Sequence, residues 1–110
     1  MINLLKVLLI CAGISSPLLA FETSWYGEEY RGKAMANGQP YVPEHMTCAA
    51  NRFALGTRLK ITYKGRVIWV VVTDRTHKRF SHRIDLSSEA FRRLARLEEG
   101  IIRVRVEVER

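Results

Sequence analysis

The chain has 110 residues, 47% apolar, 26% charged and 9% aromatic, which leaves room for one small domain and excludes a two-domain enzyme. Lysine and arginine number 18 against 11 aspartate and glutamate, a formal charge of +7 that suits an anionic partner or surface. With 7 glycines, 3 prolines and no low-complexity run, the composition fits a loop-rich fold rather than disorder.

Lys6 is followed by the apolar run Val7 to Ile14, then by Ser15, Ser16, Pro17, Leu18, Leu19 and Ala20. A cation, a short apolar stretch and a small-residue exit are the parts of a secretory signal peptide. The run is too short, and too broken by Pro17, to span a bilayer, which takes about 20 apolar residues. Residues 1–20 are therefore expected to be a leader cleaved after Ala20, and residues 21–110 a secreted or periplasmic domain with no stable membrane insertion. A lipid anchor is disfavoured because Ile10, not a small residue, precedes Cys11. Loss of the leader removes only Lys6 among the charges and leaves +6, while Cys48 is left without a disulfide partner.

From Phe21 to Gly27 an aromatic segment predicts a short strand, followed by polar loops to about Pro43. Thr57 to Tyr63 alternates, with Leu59, Ile61 and Tyr63 on one face and Arg58, Lys60 and Thr62 on the other, which is strand period. Lys64-Gly65 supplies a turn. Val67 to Val72 is continuously apolar, as in a strand buried on both faces, so Trp69 is expected inside. A basic loop through Arg83 leads to Leu86, Ala90, Phe91, Leu94 and Leu97, whose spacing predicts a helix of about three turns capped by Ser87 or Asp85. Gly100 releases the chain into Ile102, Val104, Val106 and Val108, a half-buried terminal strand. Short strands, one helix and long connections suggest a small barrel rather than a sandwich.

Six segments resemble a known family: Ser24-Trp25-Tyr26-Gly27, Met35-Ala36-Asn37-Gly38, Met46-Thr47-Cys48-Ala49-Ala50, Leu55-Gly56-Thr57, Thr73-Asp74-Arg75 and Arg83-Ile84-Asp85-Leu86-Ser87. In order and spacing they resemble the rare lipoprotein A (RlpA)-like barrels of bacterial cell-wall lytic transglycosylases. The resemblance implies an all-β fold, a small six-stranded double-psi β-barrel with one lateral α-helix and a groove across one face. It also implies cleavage of peptidoglycan glycan strands between N-acetylmuramic acid and N-acetylglucosamine, with a 1,6-anhydro product. A monomer with no cofactor, no metal and no nucleic-acid partner is expected.

An internal transfer uses the sugar's own C6 hydroxyl as nucleophile, so one carboxyl acting first as acid and then as base can serve. Asp74, which matches the family, is the candidate. The apolar run before it favours the protonated form, and Arg75 beside it favours the ionised one. A loop carboxylate that merely accepts backbone amides is the plainer alternative. Asp85 also matches, but stands where a helix cap is useful. Gln39 and Asn51 occupy positions where enzymes of the family usually carry Glu and His. Neither transfers a proton near neutral pH, though both can hydrogen-bond a sugar. Thr76-His77 stands where the family has Gly-Pro. Trp25 and Tyr26 offer flat faces to sugar rings or fill the core. Arg75, Lys78, Arg79 and Arg83 bracket the groove-side loop, and His77 is a further polar group near Asp74. His45, Cys48, His77 and His82 match no standard zinc spacing, and Cys48 reads as a small buried residue. The alternative to an enzyme is a catalytically degenerate, expansin-like peptidoglycan-binding module, motivated by Gln39 and Asn51.

Overall fold

A computed structural model describes residues 19–109. The apolar run Val7 to Ile14 and Cys11 lie outside the described residues. Of the expected leader only Leu19 and Ala20 are described, and they open the first strand, paired with Val106 and Arg105.

The strands are β1 (Leu19–Tyr26), β2 (Thr47–Ala49), β3 (Arg58–Tyr63), β4 (Arg66–Asp74), β5 (Arg83–Ser87) and β6 (Ile102–Val108). They close a barrel in the order β1-β5-β2-β4-β3-β6. The β1–β5 and β2–β4 pairs are parallel and the other four antiparallel. This is the expected double-psi barrel. Alternation sorts its side chains: Leu59, Ile61, Val70, Val72, Ile84, Leu86, Val104 and Val106 point inward and are buried, while Lys60, Arg103 and Arg105 face out. The β3–β4 hairpin turns on Lys64 and Gly65, at φ 47° and 80°, the positive pair that a two-residue hairpin loop needs.

Two expectations fail locally. The run in β4 is buried on one face only, because every strand of a small closed barrel has one side in the core and one outside. Val67 and Trp69 are accordingly exposed, Trp69 by 40%, lying outside beside Arg58 and Lys60. The helix is also shorter than its apolar spacing predicts. Leu86 belongs to β5, α1 spans Ser88–Arg92, and Leu97–Glu99 is a separate 3-10 turn. Ser87, not Asp85, caps α1 by accepting from the Ala90 amide at 3.2 Å. The break between the two short helices lets the Leu97 carbonyl accept from the Trp25 indole at 3.0 Å, while Phe91 and Leu94 are buried in the core.

Candidate functional site

A cavity of about 350 Å³ opens on the outer face where β1, β5, β2 and β4 meet, a volume in the range of small-ligand sites. Asp74 reaches it through a bulge. Cys48 pairs with Val72 but Ala49 pairs with Asp74, so Thr73 is an extra residue on β4. Thr73 turns into the core, its hydroxyl 3.3 Å from Met35 Sδ, and Asp74 is aimed at the cavity. Asp74 Oδ1 accepts from the Ala36 and Arg75 amides, both at 2.9 Å, which fixes the carboxylate's direction. The Ala36 amide is presented by a tight turn in which Gly38, at φ 87°, donates to the Met35 carbonyl.

Asp85 enters the same cavity. In register, Ala49 of β2 pairs with Asp74 on one side and with Asp85 on the other. The two acids are thus two strand spacings apart, about 10 Å between backbones, with both residues lining the one cavity. Asp85 Oδ1 accepts a hydrogen bond from Ser24 Oγ, its partner in the β1–β5 register. Sequence reasoning assigned Asp85 to a helix cap because the helix signal is local. Its register with Ala49 is not.

Aromatic side chains make one wall. Tyr26 stacks on Tyr41 at 4.2 Å between centroids, Tyr30 meets Tyr26 edge-on at 5.9 Å, and Lys33 Nζ lies 5.2 Å from the Tyr30 ring. The Tyr41 hydroxyl is spent on the Tyr26 carbonyl at 2.6 Å. By contrast the buried Tyr26 hydroxyl and Thr47 Oγ1 have no hydrogen-bond partner among the described residues. Burial pushes the Tyr26 hydroxyl far above its ordinary 10.0, with Tyr41 and the Asp74 charge adding to the shift and Thr47 opposing it. Tyr26 is therefore neutral, and its ring rather than its enclosed hydroxyl is what the cavity presents. Tyr30, Lys33 and Tyr41 escaped sequence reasoning, because only the topology brings them to Asp74.

Of the residues expected here, Asp74, Tyr26, Arg75 and His77 line the cavity. Trp25 does not: it packs on the core and against Phe91 at 6.5 Å, since odd positions of β1 face inward. Asn51 is also absent from the wall. Its Oδ1 accepts from the Thr76 amide and its Nδ2 donates to the Thr76 carbonyl, at 2.9 and 3.1 Å, so it braces the loop after Asp74. Gln39 is exposed on the Ala36–Gly38 turn and lies outside the lining. Arg75 is tied by Nη1 to the Ala50 and Phe53 carbonyls at 2.7 and 2.6 Å, which makes it a brace as much as a free cation. Arg79 and Arg83 leave this cavity altogether and line a second one of about 300 Å³. Burial pushes the Cys48 thiol up, and the side chain is fully enclosed. No group of three or more His, Cys, Asp or Glu among the described residues could hold a metal ion.

The family model described as lytic transglycolase matches residues 19–106. An uncharacterized protein of Synechocystis sp. is 36% identical over 91 residues, 81% of this chain and 97% of that one. The endolytic peptidoglycan transglycosylase RlpA of Pseudomonas aeruginosa is 37% identical over 86 residues. That match takes in 76% of this chain but 25% of RlpA, so the chain spans about a quarter of that protein's length. Among solved structures, the expansin of Clavibacter michiganensis matches with a TM-score of 0.70 at 28% identity, over 86% of this chain and 51% of that one.

Proposed function

We propose that this chain, which belongs to the lytic transglycolase family, is an exported enzyme that cleaves peptidoglycan glycan strands between N-acetylmuramic acid and N-acetylglucosamine. The observation that carries the reading is the pair of carboxylates, Asp74 and Asp85, in one aromatic-walled cavity on either side of Ala49. Asp74 is the acid and base. It protonates the glycosidic oxygen as the bond to C1 of the muramic unit breaks, and the glucosamine leaves as its 4-hydroxyl. The C6 hydroxyl of the muramic unit attacks C1 and returns its proton to Asp74, so the ring closes as a 1,6-anhydro sugar and no water is consumed. Asp85, held by Ser24, faces the positive charge that develops at C1.

A second reading is adhesion to the glycan without cleavage. It is supported by the expansin likeness and by Gln39 and Asn51, which carry no transferable proton. Incubation of the full chain with intact and amidase-treated peptidoglycan, followed by mass spectrometry, separates the two. Cleavage predicts anhydro-ended fragments, lost in Asp74→Asn while circular dichroism stays native. Release that persists in Asp74→Asn removes that residue from its role. Sedimentation with both walls and release from neither leaves adhesion as the function.

A further inference from the structure

The second cavity shares the outer face of the β1–β5 ladder with the first, since Ser24 pairs with Asp85 and Glu22 with Arg83 two residues earlier on each strand. One loop also walls both: Arg75, Thr76 and His77 stand at the first, and Arg79, Phe80 and His82 at the second. Arg103 of β6 lies opposite Glu22 and closes the second cavity on its far side. The same Arg103 lines a third hollow, of about 450 Å³, between β6 and the β3–β4 hairpin. Lys64 and Arg105 complete its cationic lining, and no acid among the described residues enters it. Arg103 and Arg105 point outward because they alternate with the buried Ile102, Val104 and Val106.

Lys64, Arg103 and Arg105 are exposed and make no ion pair among the described residues, whereas Arg92 and Arg93 pair with Glu89, and Arg96 with Glu98. Like charges gathered without counter-charges suit a surface that carries many negative charges in one plane. Where the chain enters the barrel selects that surface. Leu19 lies opposite Val106 and Ala20 opposite Arg105, so the chain that follows the apolar run Val7 to Ile14 arrives beside these cations. Five residues separate Ile14 from Leu19, a reach of at most about 17 Å. A leader seated in a bilayer during export therefore brings this face to the lipid head groups. The strand three places round the ring from β6 is β2, whose Ala49 lies between Asp74 and Asp85. A bilayer against β6 leaves the Asp74–Asp85 cavity facing away from it.

We propose that the outer face of β6 and the β3–β4 hairpin is a docking surface for an anionic phospholipid bilayer, with Lys64, Arg103 and Arg105 against the phosphate head groups and Arg79 at the margin. The contact is peripheral: no helix among the described residues is long and apolar enough to cross a membrane, and attraction between exposed charges weakens with salt. The surface goes beyond the glycan reading and is independent of whether the first cavity cleaves a strand or only holds it.

Sedimentation of the full chain with vesicles tests the surface, because the leader is the same in wild type and variants. The probes are vesicles of phosphatidylcholine alone and of phosphatidylcholine with roughly 30% phosphatidylglycerol. Lys64→Gln with Arg103→Gln and Arg105→Gln should weaken binding to the anionic vesicles at least about tenfold and leave binding to the neutral ones unchanged. Arg92→Gln with Arg93→Gln and Arg96→Gln removes the same charge from arginines that are already paired, and should cost less than about threefold. Circular dichroism checks that both triples fold. Acetylation of the wild-type lysines needs no substitution: anionic vesicles should shield Lys64 while Lys33, in the first cavity, stays reactive. Equal loss in the two triples, or equal shielding of Lys33 and Lys64, overturns the surface even if the enzyme cleaves. A soluble poly(glycerol phosphate) that binds as tightly as the anionic vesicles, with the same dependence on the three cations, overturns the bilayer as the occupant. Selective vesicle binding by a chain that releases no wall product upholds the surface and rejects cleavage alone.

Discussion

The two cavities share a strand floor and a loop wall, yet they treat charge in opposite ways. Around Asp74 and Asp85 the acids are matched by Lys33 and Arg75, and the polar groups are tied down: Asp74 to two amides, Asp85 to Ser24, Arg75 to two carbonyls. Around Phe80 three arginines outweigh Glu22, and Arg79 and Arg103 make no side-chain ion pair among the described residues. Fixed groups suit chemistry, which needs atoms held in place before the reaction. Loosely held cations suit recognition of a ligand that brings its own charge.

The largest effect should come from Asp85→Asn. If both acids work as a unit, release of anhydro product falls at least about 100-fold, and adding Asp74→Asn lowers it little further. Sedimentation with peptidoglycan should stay within a few-fold, since the aromatic wall of Tyr26, Tyr30 and Tyr41 is untouched. An unchanged release rate would return Asp85 to a purely structural role.

Asn51→Ala should divide the loop more gently. It removes two hydrogen bonds to Thr76, a loss of about 1–2 kcal/mol that lowers the melting temperature by roughly 4–16 °C. Catalysis should weaken with it, whereas sedimentation with peptidoglycan should survive. If sedimentation is lost too, the loop that Asn51 braces serves binding as well as cleavage.

Tyrosine chemistry sets a third expectation. The Tyr26 and Tyr41 hydroxyls are raised by burial, so the folded protein holds these protons more tightly than the unfolded chain. Their contribution is intact below the ordinary value of 10.0 and is lost as pH rises beyond it. Thermal melts from pH 8 to 11 should show this decline, and Tyr26→Phe should reduce it, leaving the shares of Tyr41 and of the buried Cys48 thiol. At neutral pH that substitution should change stability by under about 1 kcal/mol, because the hydroxyl has no partner to lose. The smallest effect belongs to Trp69→Ala. Its ring lies outside the core and lines neither cavity, so stability should move by about 0.5 kcal/mol and both ligand measurements by nothing detectable.

What could be read from the sequence was local or tied to motif spacing. Leu59 and Ile61 alternate as a strand face, Lys64-Gly65 makes the hairpin turn, and Ser87 caps the helix it precedes. The order of motifs is sufficient for the barrel, and it singles out Asp74, which lines the cavity. Trp69 was misplaced because an unbroken apolar run does not say whether a strand has one covered face or two. Tyr30, Lys33 and Tyr41, and the place of Asp85 beside them, are not legible for a different reason. Parallel pairing of β1 with β5 and of β2 with β4 joins stretches distant in the chain, and no periodicity records that. Residue type alone offers Asn51 and Gln39 as sugar ligands, whereas Asn51 spends its amide on the Thr76 backbone.

The way β1 is bonded also bears on when the protein can fold. Its only strand partners are β5 and β6, so the earliest strand made has nothing to pair with until the last two are available. Such long closures are slow. A polypeptide emerging end first stays threadable until nearly its whole length is free, which is the condition for passing through a narrow translocation pore before the barrel locks.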